Sequence, residues 1–173
     1  MHNYCKNTLM LSADYIYYEP FMAHARGDDK SGEQSINNPL CFSRLAPVPT
    51  HIVETTNEDV KKDWFLRNWG CYSIAYETKI FRTRGVYGET RSLAYEFLTK
   101  ELPPSRVIKT ASEDYPDLTF TLFYCNHQEM YSGICVARRG QLSPRCYDLF
   151  SRPLIRDAPK LPIPDYLIHD LWL

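Results

Sequence analysis

Between Leu118 and Cys125 the chain reads LTFTLFYC. On an extended backbone Leu118, Phe120, Leu122 and Tyr124 fall on one side, and Thr119, Thr121 and Phe123 on the other. A helix would scatter these residues around its circumference, whereas a strand lays the apolar set on one face. The segment therefore calls for a sheet with at least one covered side. Cys5–Leu11 alternates in the same manner, with Asn7, Leu9 and Leu11 opposed to Lys6, Thr8 and Met10. Two longer alternations, Tyr72–Thr83 and Arg91–Leu98, are joined by RGVYGE, whose two glycines suit a hairpin tip. After NHQEM, the run YSGICVAR supplies a last strand.

Helical signals separate these strands. Ser12 and Asp14 are placed to cap a helix through about Ala25, with Gly27 as its stop and Pro20 shortening or kinking it. Asn57 caps EDVKKDWFLRNW. Glu58 and Asp59 suit the positive end of that helix, Arg67 suits its negative end, and Gly70 ends it. Trp69 then stands at the corner between helix and sheet, as a hinge. Pro103-Pro104 close a strand and open a helix through about Asp114, and Tyr115-Pro116-Asp117 makes a turn. GDDKSGEQSINN, residues 27–38, has no apolar period and predicts a mobile loop. CFSRLAPVPT predicts an extended piece anchored by Phe42 and Leu45, its two prolines opposing a helix.

The order strand, helix, strand, strand, helix, strand, strand predicts an α+β fold. Its specific form is a ferredoxin-like antiparallel sheet with helices on one face. That domain takes residues 1–140, with a segment inserted at about 27–69. A Pro-rich C-terminal extension, 141–173, follows and is locally basic: residues 138–160 hold six Arg or Lys against two Asp. Only its last residues suit a helix, capped by Asp165, and the extension either straps across the sheet or is held for a partner. At 173 residues the chain needs no disulfide or metal staple. Its formal net charge of −1 supplies no global field for nucleic acid or membrane. The start, MHNYCKNTLMLSADYIYY, has neither a basic opening nor an unbroken apolar run, so it does not read as a signal peptide. No stretch approaches the roughly 20 apolar residues of a membrane span. With six irregularly spaced cysteines and no CxxC pair, the expectation is reduced thiols in a cytoplasmic protein.

Three spaced patterns coincide with a known family. HNYCKNTLMLS resembles N-x-C-x-N-x-L-x-hydrophobic through Asn3, Cys5, Asn7, Leu9 and Leu11. FSRLAPVP is similar to F-x-x-L-x-P-x-P, and Asn68-Trp69-Gly70 to the N-W-G step that follows. Phe97, Pro103-Pro104, YPDLTFTLFY and YSG look like the closing half. Over roughly residues 1–138, by the extent of these patterns, the chain resembles the Api92-like ferredoxin-like domain family of phages, plasmids and bacteria. The resemblance implies the ferredoxin-like fold and a mobile-element setting, and carries over no catalytic residue. Cys71-Tyr72-Ser73 and Lys100-Glu101-Leu102 stand where the family typically has T-K-W and A-W-S, so two tryptophan positions are replaced.

The candidate chemistries are weighed against plain packing. A Cys125–His127 nucleophile and base lie close in sequence, but strand geometry predicts side chains some distance apart, and no local signature resembles a cysteine hydrolase. Cys125, His127 and Cys135 fall short of the four closely spaced ligands of a structural zinc site. GVYG lacks the spacing of a phosphate-binding loop. Tyr72, Tyr76, Phe123 and Tyr131 lie on or near strands, as base stacking would need, without the basic-aromatic signature of an RNA-recognition motif. The expectation is therefore a non-enzymatic binding protein of a phage or plasmid. It would block a host protein or defence complex in the bacterial cytoplasm, as an anti-defence inhibitor such as an anti-CRISPR does, without metal or cofactor. Its contact residues would be Arg84, Tyr87, Arg152, Arg156, Tyr166 and Trp172, since Tyr, Trp and Arg dominate interface energetics. A nucleotide or single-stranded nucleic-acid module and a small Cys/His hydrolase are the alternatives.

Overall fold

The computed structural model describes residues 3–31 and 34–148. In chain order the elements are β1 (Tyr4–Ser12), α1 (Tyr18–Ala25), β2 (Gly27–Ser31), β3 (Gln34–Asn38), α2 (Phe42–Leu45), α3 (Thr50–Glu54) and α4 (Glu58–Asn68). They continue with β4 (Tyr76–Arg84), β5 (Thr90–Lys100), α5 (Ser105–Asp114), β6 (Thr119–Asn126), β7 (Tyr131–Arg138) and β8 (Gln141–Asp148). The fold is α+β. Six strands form one antiparallel sheet in the order β4-β5-β1-β6-β7-β8, and β2 and β3 form a separate two-stranded ribbon. No helix among the described residues is long and apolar enough to cross a membrane.

Register explains which face is covered. Leu9 lies opposite Tyr95 on one side and Leu122 on the other, and Leu11 lies between Leu93 and Phe120. These residues join Phe21 of α1, Phe42 of α2, and Val107, Ile108 and Ala111 of α5 in one buried core. Burying such side chains contributes about 1.5–3 kcal/mol each, which is why the alternation of β1, β5 and β6 specifies the sheet so firmly.

Five local readings are corrected. Gly27–Ser31 and Gln34–Asn38 pair as the β2–β3 ribbon, where a loop was expected. Its ladder uses backbone groups, so the segment needs no apolar period to pair. CFSRLAPVPT is not extended: α2 precedes Pro47, and Pro49 stands at the N-cap of α3, where a missing N–H costs no helical bond. The first α-helix begins at Tyr18 after a 3-10 turn over Tyr15–Tyr17, and Asp14 makes no side-chain cap. Pro20 thus falls in the first turn, where its lack of a donor is tolerated. β4 starts at Tyr76, four residues later than the alternation suggested. Finally, the segment read as opening the extension begins with β8, paired to β7 along its length.

Asn57 does cap α4, its side chain accepting from the N–H groups of Asp59 and Val60. At the far end Trp69 is buried, stacked on Phe65 at 4.5 Å and 5°, and its indole N–H donates to the Ala46 carbonyl at 3.0 Å. The Trp69 carbonyl accepts from the N–H groups of Arg106 and Val107, both at 3.2 Å, which satisfies donors in the first turn of α5. Gly70 follows at φ 88° with backbone N–H groups 3.1 Å from where a Cβ would sit. Asn-Trp-Gly is therefore a structural junction of two helices.

The N-x-C-x-N residues are structural as well. Asn7 is buried and donates to Cys5 O and Thr99 Oγ1, both at 2.9 Å. Asn126 donates to Asn3 Oδ1 at 2.7 Å and Glu101 O at 2.9 Å, and accepts from the N–H groups of Gln128 and Glu129 at 3.0 Å. The Tyr131 hydroxyl also donates to Glu101 O. This knot joins the start of β1, the exit of β5 and the β6–β7 turn.

Candidate interaction surface

β4 is an edge strand, and most of its residues are exposed. It pairs with β5 from Lys79 opposite Glu96 to Arg84 opposite Thr90, with irregularities at both ends. The chain makes a long hairpin there because β5 is anchored by Leu93, Tyr95 and Phe97, whereas among the described residues β4 has no strand beyond it to cover it. Where the strands meet the tip, Thr90 Oγ1 donates to Glu19 Oε1 at 2.7 Å, fastening the start of β5 to α1.

The tip has a defined conformation. Gly85 N–H donates to Glu89 O at 2.8 Å, and Gly88 N–H to Gly85 O at 3.0 Å. Gly88 adopts φ 83°, which a side chain would strain. The Glu89 carboxylate accepts from Tyr87 N–H and from Arg91 Nε, each at 3.0 Å. Its own backbone N–H, then the Arg91 guanidinium and the Tyr87 N–H, hold the Glu89 carboxyl below the usual carboxylate range. A Cβ at position 85 would stand 1.9 Å from Glu89 Oε1, so this clasp requires glycine there. Held on the clasp, Val86 is 89% and Tyr87 94% exposed. Ile80 and Phe81 are also exposed along the strand. Lys79, Arg82 and Arg84 are exposed beside them, and none lies within ion-pair distance of a carboxylate among the described residues.

Of the residues expected to make contact, Arg84 and Tyr87 are thus neighbours on one protruding hairpin. Arg152, Arg156, Tyr166 and Trp172 lie outside the described residues. Sequence reasoning passed over Val86 and Glu89. The signal for Glu89 was a carboxylate directly after Gly88, two residues before Arg91.

The other candidates resolve differently. Cys125 Sγ is 3.6 Å from His127 Nε2, much closer than strand spacing suggested, because Asn126 takes the chain into the β6–β7 turn and swings His127 back. Burial raises the Cys125 thiol above its ordinary value and Lys6 only partly opposes this, so the sulfur is a protonated thiol at neutral pH. No carboxylate is hydrogen-bonded to His127 among the described residues to orient its ring. Cys135 pairs in register with Leu122 and joins the helix-side core, whereas Cys125 is on the opposite face, so these two thiols cannot share an ion. The four aromatics do not form one platform. Tyr72 precedes β4, Tyr76 packs edge-on against Tyr4 at 6.1 Å, Phe123 is buried, and Tyr131 belongs to the helix side.

Fold and surface together define a six-stranded antiparallel α+β domain carrying a clasped, apolar-tipped hairpin at one sheet edge. Neither a family model nor a curated protein matches the chain. Among solved structures it is similar to protein Api92 from Yersinia pseudotuberculosis, of the family model DUF1281. The identity is 15% and the TM-score 0.48, over 68% of this chain and 42% of Api92. The chain thus matches less than half of Api92's own length.

Proposed function

We propose that this chain is a non-enzymatic protein-binding module whose contact surface is the β4–β5 hairpin. The carrying observation is the tip itself: two apolar side chains about nine-tenths exposed on a backbone fixed by Glu89. Exposed apolar groups on a preordered loop lose little conformational freedom on binding, which favours recognition. Arg84 and Tyr87 add two of the residue types that anchor interfaces. We read the core as ferredoxin-like, supported by the order β4-β5-β1-β6 with α1 to α4 crossing between β1 and β4 and α5 between β5 and β6. The family resemblance supports a mobile-element origin, and with it a bacterial host protein or defence complex in the cytoplasm as the target to be blocked.

The test compares tagged full-length protein with a Val86→Asp/Tyr87→Ala variant in capture from bacterial lysate, followed by binding measurements on the purified partner. Loss of an anchoring aromatic at about 2 kcal/mol weakens binding about thirtyfold. Undiminished affinity of the tip variant removes the hairpin as the contact. Absence of any stoichiometric partner counts against the module as a whole.

A further inference from the structure

The free edge of β4 carries a chemistry that selects what can pair with it. Register shifts at Tyr76/Lys79 and Thr83/Arg84 leave Lys79–Thr83 as its regular part. Alternate residues of that run turn their N–H and C=O groups away from β5, and no strand among the described residues meets them. The side chains stand in two rows. Ile80 and Arg82 lie opposite Tyr95 and Leu93, on the helix side, while Lys79 and Phe81 lie opposite Glu96 and Ala94, on the other. Each row thus joins one exposed apolar group to one exposed cation, and Arg84 adds a third cation past the second shift. Glu96 faces Lys79 across the ladder but not within ion-pair distance.

The geometry points to an acidic, extended segment of a partner protein that adds to β4 as a further strand. This rests on the hairpin being the contact surface and names what it contacts. Cations alone would be explained by keeping copies of the chain apart, but exposed Ile80 and Phe81 between them invite pairing. A second copy is disfavoured by charge: two β4 strands side by side bring six cations to one seam, with only the two Glu77 carboxylates on those strands to offset them. Nucleic acid is disfavoured by shape, since Ile80 and Val86 offer bases no stacking surface. Opposite Lys79, Ile80, Phe81 and Arg82 a matching strand reads acidic, apolar, apolar, acidic, the same in either direction.

The experiment pans a displayed library of random decapeptides on the full chain and synthesises the strongest binders. They should carry that four-residue pattern. N-methylation at alternate positions of one set should abolish binding, and at the other set should leave it within about twofold, because only one set of N–H groups faces β4. Arg82→Glu/Arg84→Glu should weaken acidic binders about tenfold, and lysine in place of their carboxylates should restore the loss. Binders that tolerate N-methylation everywhere, or that lack acidic residues, overturn strand addition. If they still weaken in Val86→Asp/Tyr87→Ala, the hairpin stands as the contact; if neither variant weakens them, that reading falls as well. Recovery of no binder overturns the added strand alone, as does tighter binding of oligothymidylate than of any peptide. In the free chain the outward amides of Lys79–Thr83 should exchange rapidly with solvent deuterium. Slow exchange in a monomer would show the edge paired within the chain, and slow exchange in a dimer would show it paired with a second copy. Either overturns the inference.

Discussion

Replacing Trp69 by alanine separates a structural hinge from a binding residue. The indole is buried against Phe65 (4.5 Å), Phe42 (5.6 Å) and Trp64 (5.8 Å), and its N–H satisfies the Ala46 carbonyl. Removing a buried indole costs about 3–5 kcal/mol in lost transfer energy and cavity formation. A domain of this length loses about 2–4 °C per kcal/mol, so Trp69→Ala should lower Tm by roughly 6–20 °C. Trp69→Phe keeps a ring on Phe65 but leaves the Ala46 carbonyl without its donor, and should cost about 2 kcal/mol. Urea unfolding followed by circular dichroism measures both. The order of the variants matters as much as their size: phenylalanine should recover about half of the alanine loss. Trp69→Ala with wild-type stability would refute the packing argument and return Trp69 to the surface as a site.

Three further outcomes follow from named groups. Asn126→Ala deletes two donated and two accepted bonds of the knot and should destabilise by about 3 kcal/mol in the same assay; a loss under half of that would show the knot to be redundant. The Tyr95 hydroxyl is buried without a hydrogen-bond partner among the described residues, so Tyr95→Phe should be neutral or raise stability by up to about 1 kcal/mol, and a clear loss would reveal a partner. Because the Glu89 carboxyl is held below its ordinary value of 4.5, the tip clasp is complete above that value and is lost as pH falls through the lower folded value. The Tyr87 amide resonance should titrate with that midpoint and lose the transition in Glu89→Gln; a midpoint at or above 4.5 would contradict the clasp.

The strands were legible in the residues wherever one face is buried. Leu9, Tyr95 and Leu122 sit in one register row because only that alignment brings all three under the helices. The helix end at Trp69-Gly70 and the cap at Asn57 were legible too, because caps act through neighbours in sequence. The β2–β3 ribbon and the helices α2 and α3 were not. A ladder of backbone bonds leaves no apolar pattern, and prolines read as helix breakers in fact stand between two short helices. The candidate surface was half legible. Arg84 and Tyr87 stood out by residue type, but the clasp that fixes them joins Gly85, Glu89 and Arg91 through geometry.

Period-two patterning, caps and turn glycines act over a few residues, and for that reason the central strands β1, β5 and β6 and the helices α4 and α5 are written in the chain. Which strand lies beside which depends on contacts between distant residues, such as Thr99 with Asn7 or Asn126 with Asn3. The nearness of Cys125 and His127, the burial of Phe123 and the prominence of Val86 and Tyr87 have the same origin. Each depends on where a side chain stands once the sheet has closed, and no local pattern encodes that position.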